Sequence, residues 1–247
     1  MQRWRVRAVS ARLEAVQKVL EAVQKVVATP VGLCGTRYPA PDRRGLRRCC
    51  EYVLDHYRGC IGDLMAWAFD LAGGKLAGVL PRRWAHVQGV SGRARVVTPL
   101  FSVDDCELLM GAALLHDIGY APDLVDTGFH PLDGARYLRS VDGPARLVNL
   151  VAHHSCATLE AELRGLSAEL AEFEDEKTDL RDALWWADMT TTPDGGKTTV
   201  ACRVAEIQSR YGPDDLVSCF IRRAWGGLNA AVVRTERCLS AAGMAQA

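Results

Sequence analysis

SVDDCELLMGAALLHDIG occupies residues 102–119, and the rest of the chain is read outward from it. Ser102, with Asp105 three residues on, is a capping-box start for a helix. Leu108, Leu109, Ala112 and Leu115 then recur at helical spacing, and Gly119 suits the helix end. That apolar face must be buried, which carries His116 and Asp117 to the inner, C-terminal end of a core helix. A carboxylate buried beside an imidazole is costly unless a cation or hydrogen bonds compensate it. A lone buried histidine is usually satisfied by one hydrogen bond, so this stretch is not chemistry on its own.

The same period runs through its neighbours. Pro81 sits at the first turn of a helix carrying Trp84, Val87 and Val90. Further helices are expected over 144–155, over 159–176 (one amphipathic helix or two short ones), over DLRDALWWADM at 179–189, and over 199–211 and 215–242. Nothing alternates as a strand. The expected fold class is all-α.

The 247 residues, 49% hydrophobic and 24% charged, suit one sizeable core with an appendage and exclude a disordered or collagen-like chain. No run of eighteen apolar residues exists, which excludes a spanning helix, and no membrane partner is expected. Nine cysteines, an odd number without a CxxC pair, argue against a disulfide scaffold and against a thiolate zinc site. Reduced thiols in a cytoplasmic protein are the simplest account. The opening MQRWRVRAVSAR has the charge of a leader, but no apolar stretch follows it.

Net charge is zero but uneven: residues 1–85 hold 15 Lys/Arg against 7 Asp/Glu, and residues 86–247 hold 15 against 23. A basic front segment can touch nucleic acid. A solvated Arg-rich tail is the preferred reading, and nucleic acid is not the expected partner. The heptad LEAVQKV occurs twice over 13–26, giving one helix with a coiled-coil-like seam. It serves either as a docking helix or as a duplication without consequence. Pro30, Gly32, Gly35, Pro39 and Pro41 then interrupt regular structure. The expected division is an N-terminal extension of unknown role over 1–64 and a helical domain over 65–247.

Five of the six histidines, His86, His116, His130, His153 and His154, fall between 86 and 154. All but His130 are placed on helices. Asp188 repeats the situation of Asp117, following Leu180, Leu184, Trp185 and Ala187 on a helix too apolar to leave it idle. Any one of these is a poor ligand candidate, but several converging on one core point to a metal. Imidazoles and carboxylates without thiolates suit a divalent transition ion: Mn, Fe, Co, Ni or Zn.

The order His86, then His116-Asp117 within LLHDIGYAP, then Asp188 within WWADMT, resembles the HD superfamily of metal-dependent phosphohydrolases. The flanks RRWAHVQGV, GFHPLDGARYL and VAHHS agree, and the resemblance covers about residues 65–247. It implies an all-helical bundle in which His86, His116, Asp117 and Asp188 hold one ion. It also implies that members with further histidines hold two, with Asp117 bridging and with His130 and His154 as the added ligands. Adjacent helical residues point about 100° apart, so His153 is expected to contact substrate, although related dinuclear phosphodiesterases use both histidines of such a pair. Asp117 is thereby a catalytic residue as well as a ligand. The implied reaction is metal-activated hydroxide attack on the phosphorus of a phosphate ester or anhydride, most plausibly of a nucleotide. Arg83 or Arg82 is expected to face the phosphoryl oxygens, with Lys197 and Arg203 as weaker candidates. Asp123 and Asp126 are either acids toward the leaving group or plain turn residues, the turn being the preferred reading of Asp123. Two other activities fit the same ligand pattern: a di-iron oxygenase, and a non-catalytic metal- or nucleotide-binding regulatory module.

Overall fold

The computed structural model describes residues 63–244. The doubled heptad and nearly all of the 1–64 extension lie outside the described residues. Contacts divide the chain into units Met1–Trp67 and Ala68–Ala247. The second unit carries the side-chain cluster described below.

Among the described residues there are ten α-helices and no strand beyond one isolated bridge, Thr191 to Lys197. They are α1 (Asp63–Leu76), α2 (Pro81–Ala94), α3 (Val103–Leu115), α4 (His130–Ser140), α5 (Ala145–Ala152), α6 (Ala157–Arg164), α7 (Ser167–Leu170), α8 (Asp179–Met189), α9 (Val200–Tyr211) and α10 (Leu216–Ala241). The fold is all-α, as read from the sequence.

Two helices form the centre. In α8 every residue from Asp182 to Met189 is buried, and in α3 every residue from Leu109 to Leu115. A helix apolar all round must be surrounded. Here α2 and α3 pack together, α8 lies against both, and α10 backs α8 along its outer side. The 26 residues of α10 span about 39 Å, enough to contact α6, α8 and α9 in turn. Arg234 of α10 donates to Asp182 of α8 at 2.6 Å, satisfying a carboxylate buried among tryptophans and alanines.

Local signals acted as expected at several helix starts. Ser102 accepts from the Asp105 N–H at 3.2 Å, the first half of the capping box, and its hydroxyl also donates to the Asp105 carboxylate at 3.0 Å. Asp215 caps α10 through the Val217 N–H at 2.8 Å. The 159–176 region resolves into two short helices, broken where Gly165 takes φ +71°. Two helices stop earlier than their periodicity suggests. The first, α3, ends at Leu115 and gives way to a 3-10 turn over Ile118–Tyr120. The second, α5, ends at Ala152, before both of its histidines. His130, expected off any helix, opens α4.

Packing explains the first early stop. A Cβ on Gly119 would lie 2.1 Å from the His130 carbonyl and 2.6 Å from the Gly134 N–H nitrogen, so α4 rests directly on the backbone after Asp117. Gly119→Ala must therefore push α4 and His130 away from Asp117. We expect a loss of about 3 kcal/mol, at the upper end of overpacking costs because both obstructing atoms are backbone, and a fall in Tm of about 10 °C. Gly92→Ala, facing open space in α2, is the control and should be neutral or slightly stabilising in the same thermal melts.

Candidate metal centre

The helix ends bring six side chains to one point. His86 comes from the middle of α2, His116 and Asp117 follow α3, His130 starts α4, His154 follows α5, and Asp188 lies near the end of α8. All are buried apart from His130, which is half-buried.

Backbone carbonyls set which ring nitrogen faces inward. His116 Nδ1 lies 2.9 Å from the Ala113 carbonyl and His154 Nδ1 2.7 Å from the Val151 carbonyl, each three residues back along a terminating helix. His86 Nδ1 lies 3.0 Å from the Thr192 carbonyl. A carbonyl only accepts, so each Nδ1 carries a proton and each Nε2 is the ring nitrogen that faces the centre, where a bound cation would take its lone pair. The Thr192 contact depends on a close approach: a Cβ on Gly195, at φ +83°, would come within 2.6 Å of the Ala85 carbonyl. The 193–197 run PDGGK thus presses against α2 and orients His86.

Asp117 stands between two ligand sets. Its Oδ2 lies 3.4 Å from His116 Nε2 and 3.7 Å from His86 Nε2, while its Oδ1 lies 3.3 Å from His130 Nε2. Asp188 Oδ1 completes the first set at 3.1 Å from His86 Nε2 and 3.9 Å from His116 Nε2. The ligand atoms of His86, His116 and Asp117 lie within 4.8 Å of one another, as do those of Asp117, His130 and His154.

These groups fit a divalent cation. The Nε2 of His116 is buried without a hydrogen-bond partner. The Nε2 atoms of His130 and His154 face each other at 3.1 Å, a separation that requires a shared proton or a shared cation. Burial alone would raise both carboxylates, yet the charges around them win. Arg83 and His116 hold Asp117 well below the usual carboxylate range, and His86, His116 and Arg203 do the same for Asp188. Burial, reinforced by His130 and His116, pushes His154 down to about 3, so its lone pair is available at neutral pH. The nearby Cys156 is no competitor: burial pushes its thiol up to about 12.

The other expected site residues fare differently. Arg83 faces the centre, its Nη1 donating to Asp117 Oδ2 at 2.6 Å and its guanidinium lying over the Tyr120 ring at 4.0 Å. Its neighbour Arg82 turns outward to Asp194, at 2.8 Å, and lines a separate pocket, which corrects the expectation that it meets the phosphoryl group at the metals. His153 is also corrected. Its Nε2 meets the Phe173 carbonyl at 2.8 Å and its Nδ1 the Thr158 hydroxyl at 3.5 Å, so the ring is spent in the core and does not line the cleft. Asp123 pairs with Lys75 at 2.5 Å and Asp126 lies 3.5 Å from Arg136, and neither lines the cleft beside the metal ligands. Lys197 also lies outside it, whereas Arg203 is part of its wall.

Three groups were not legible in the sequence. Tyr120 stacks on His130 with centroids 4.0 Å apart and the planes 19° from parallel. Asp133, from the first turn of α4, accepts from the N–H groups of Asp126, Thr127 and Gly128 and from the Thr127 hydroxyl, anchoring the approach to His130. Ser155, in left-handed backbone at φ +46°, donates its hydroxyl to Asp188 Oδ2 and leaves Oδ1 to the histidines. That backbone costs energy for a non-glycine residue, on the order of 1–3 kcal/mol.

Metal analysis of the purified full-length protein separates the two ligand sets. Asp117→Ala should remove all bound metal, His130→Ala should lower the stoichiometry by one ion, and His153→Ala should leave it unchanged.

Comparison with curated proteins and comparison with solved structures each give no match. A family model does: HD domain, over residues 83–207, just over half the chain and shorter than the 65–247 read from the sequence. The match encloses all six converging side chains. HD domains bind divalent metals, and the family includes metal-dependent phosphohydrolases. With the matched segment and the His/Asp cluster in agreement, this chain belongs to the HD-domain family.

Proposed function

We propose that the protein is a metal-dependent phosphohydrolase that cleaves a phosphate ester or anhydride of a nucleotide. The observation that carries this reading is Asp117, whose two oxygens face two different histidine sets across one carboxylate. His86, His116, Asp117 and Asp188 would hold one ion, and Asp117, His130 and His154 a second. Divalent transition ions bound there supply Lewis-acid polarisation of a phosphoryl oxygen and acidify a water molecule.

The chain's own groups do the rest. Asp117, His130, His154 and Asp188 open onto a cleft of about 250 Å³ whose wall includes Arg83, Arg164 and Arg203. Arg83 is mostly buried, kept charged by Asp117 and fixed in plane by Tyr120, so its guanidinium meets an incoming phosphoryl group without reorganising. Ser155 and the Thr192 carbonyl hold Asp188 and His86 in their orientations, a supporting role comparable to the ligands' own. The free described cysteines accord with a cytoplasmic setting, and no helix among the described residues is long and apolar enough to cross a membrane.

The test is phosphate release from a panel of nucleoside phosphates with Mn, Co, Ni or Mg, alongside metal content and oxygen uptake with and without reductant. Release from nucleotides is expected. Arg83→Ala should keep its metal yet lose about 10²–10³ in kcat, the scale of one removed donor to transition-state charge. Oxygen consumption without phosphate release would favour an oxygenase, and tight nucleotide binding without turnover a regulatory module. Either result sinks this reading.

Residues 1–64 we take as a dispensable extension. A chain beginning at Met65 should fold and retain its metal, and loss of either property refutes this division.

A further inference from the structure

The metal cleft has a neighbour. A second pocket of about 260 Å³ lies beside it, and Arg83 and Arg210 line both. Each cavity alone is smaller than the ~300–1,000 Å³ usual for a small-molecule site, while the two joined fall within that range. A substrate that uses both has one end at the metal ligands and another in this side pocket.

The lining says what that other end is. Val79, Leu80, Pro81 and Pro193 give an aliphatic floor, and the guanidiniums of Arg82, Arg83 and Arg210 stand around it. Each guanidinium already has a carboxylate. Arg82 takes Asp194 through two bonds at 2.8 and 3.2 Å, Arg83 takes Asp117 at 2.6 Å, and Arg210 takes Glu206 at 3.3 Å. Each guanidinium is thus held along one edge by its carboxylate. What a paired guanidinium still offers is its planar, weakly hydrated face, which stacks on aromatic rings. Arg83 shows that use already, lying over Tyr120. Arg210 likewise lies over Tyr211, at 5.0 Å, and guanidinium groups beside proline and aliphatic surface suit a planar aromatic heterocycle.

We propose that the side pocket seats the nucleobase of the substrate, with its phosphate passing Arg83 and Arg210 to reach the metal ligands. This rests on the phosphohydrolase reading and adds the site that selects the substrate. It also gives Arg82 a role, at the base rather than at the phosphoryl group.

The test uses the full-length chain and two substitutions at exposed positions, where folding is least at risk. Val79 is 59% exposed and Val79→Trp fills the pocket, while Arg82→Ala removes one stacking face. Thermal melts matching wild type establish that both variants are folded. Equilibrium dialysis of the metal-free protein against adenosine and guanosine, with inorganic tripolyphosphate as the competing probe, reads the pocket directly. Nucleoside binding that V79W weakens tenfold or more, and that R82A also weakens, is the expected result. In the metal-loaded protein, V79W should lower kcat/KM for nucleoside monophosphates at least tenfold relative to glycerol phosphate, which has no base. Absence of nucleoside binding to the wild-type protein overturns the proposal, as does a V79W protein in which either nucleoside binding or the kcat/KM ratio is unchanged. A loaded wild-type enzyme that hydrolyses no phosphoester yet binds nucleosides in a V79W-sensitive manner refutes the hydrolase reading and supports the pocket.

Discussion

Two carboxylates buried at the junction of five helices are the constraint on which this structure depends. Asp117 and Asp188 are almost wholly removed from water, and ionised groups in that position require nearby positive charge or a dense set of donors. Arg83, the inward-facing imidazoles and the Ser155 hydroxyl are arranged to meet that requirement. A divalent cation meets it more fully, because it also satisfies His116 Nε2 and separates the facing nitrogens of His130 and His154. The centre is thus an electrostatic problem posed by the fold, with metal as its natural solution.

That constraint propagates outward through backbone. Three histidines are aimed by carbonyls of Ala113, Val151 and Thr192, two of them exposed by helices that stop a turn early. The early stops are imposed by packing: α4 against the Gly119 backbone after α3, and left-handed Ser155 and Cys156 after α5. Terminating a helix frees carbonyls that would otherwise bond along the axis. Here those carbonyls set histidine tautomers. Helix ends, rather than helix faces, build the site.

The split between Arg82 and Arg83 shows how finely orientation divides labour. Neighbouring residues on one helix point about 100° apart. One guanidinium therefore enters the metal cleft while the other faces the side pocket and Asp194. Arg83 and Arg210 join the two cavities, so charge stabilisation and shape selection share a wall. A cleft of this kind can separate recognition of a substrate from the chemistry done on it.

Much of this was legible in the chain alone, for physical reasons. Apolar residues at helical spacing require burial whatever they pack against, so all-α architecture, α9, α10 and the capped start of α3 follow from local pattern. The same burial argument carried His116, Asp117 and Asp188 inward, because ionisable groups ending apolar helices need a partner. Periodicity could not say where packing would cut α3 and α5 short, nor which of His153 and His154 would turn inward. It was equally blind to Tyr120 beneath Arg83, to Asp133 gathering the loop before His130, and to Ser155 in its left-handed conformation. These depend on the directions of carbonyls and the approach of backbones remote in sequence. Local pattern determined which groups had to be buried, and tertiary packing decided which atom of each faces the centre.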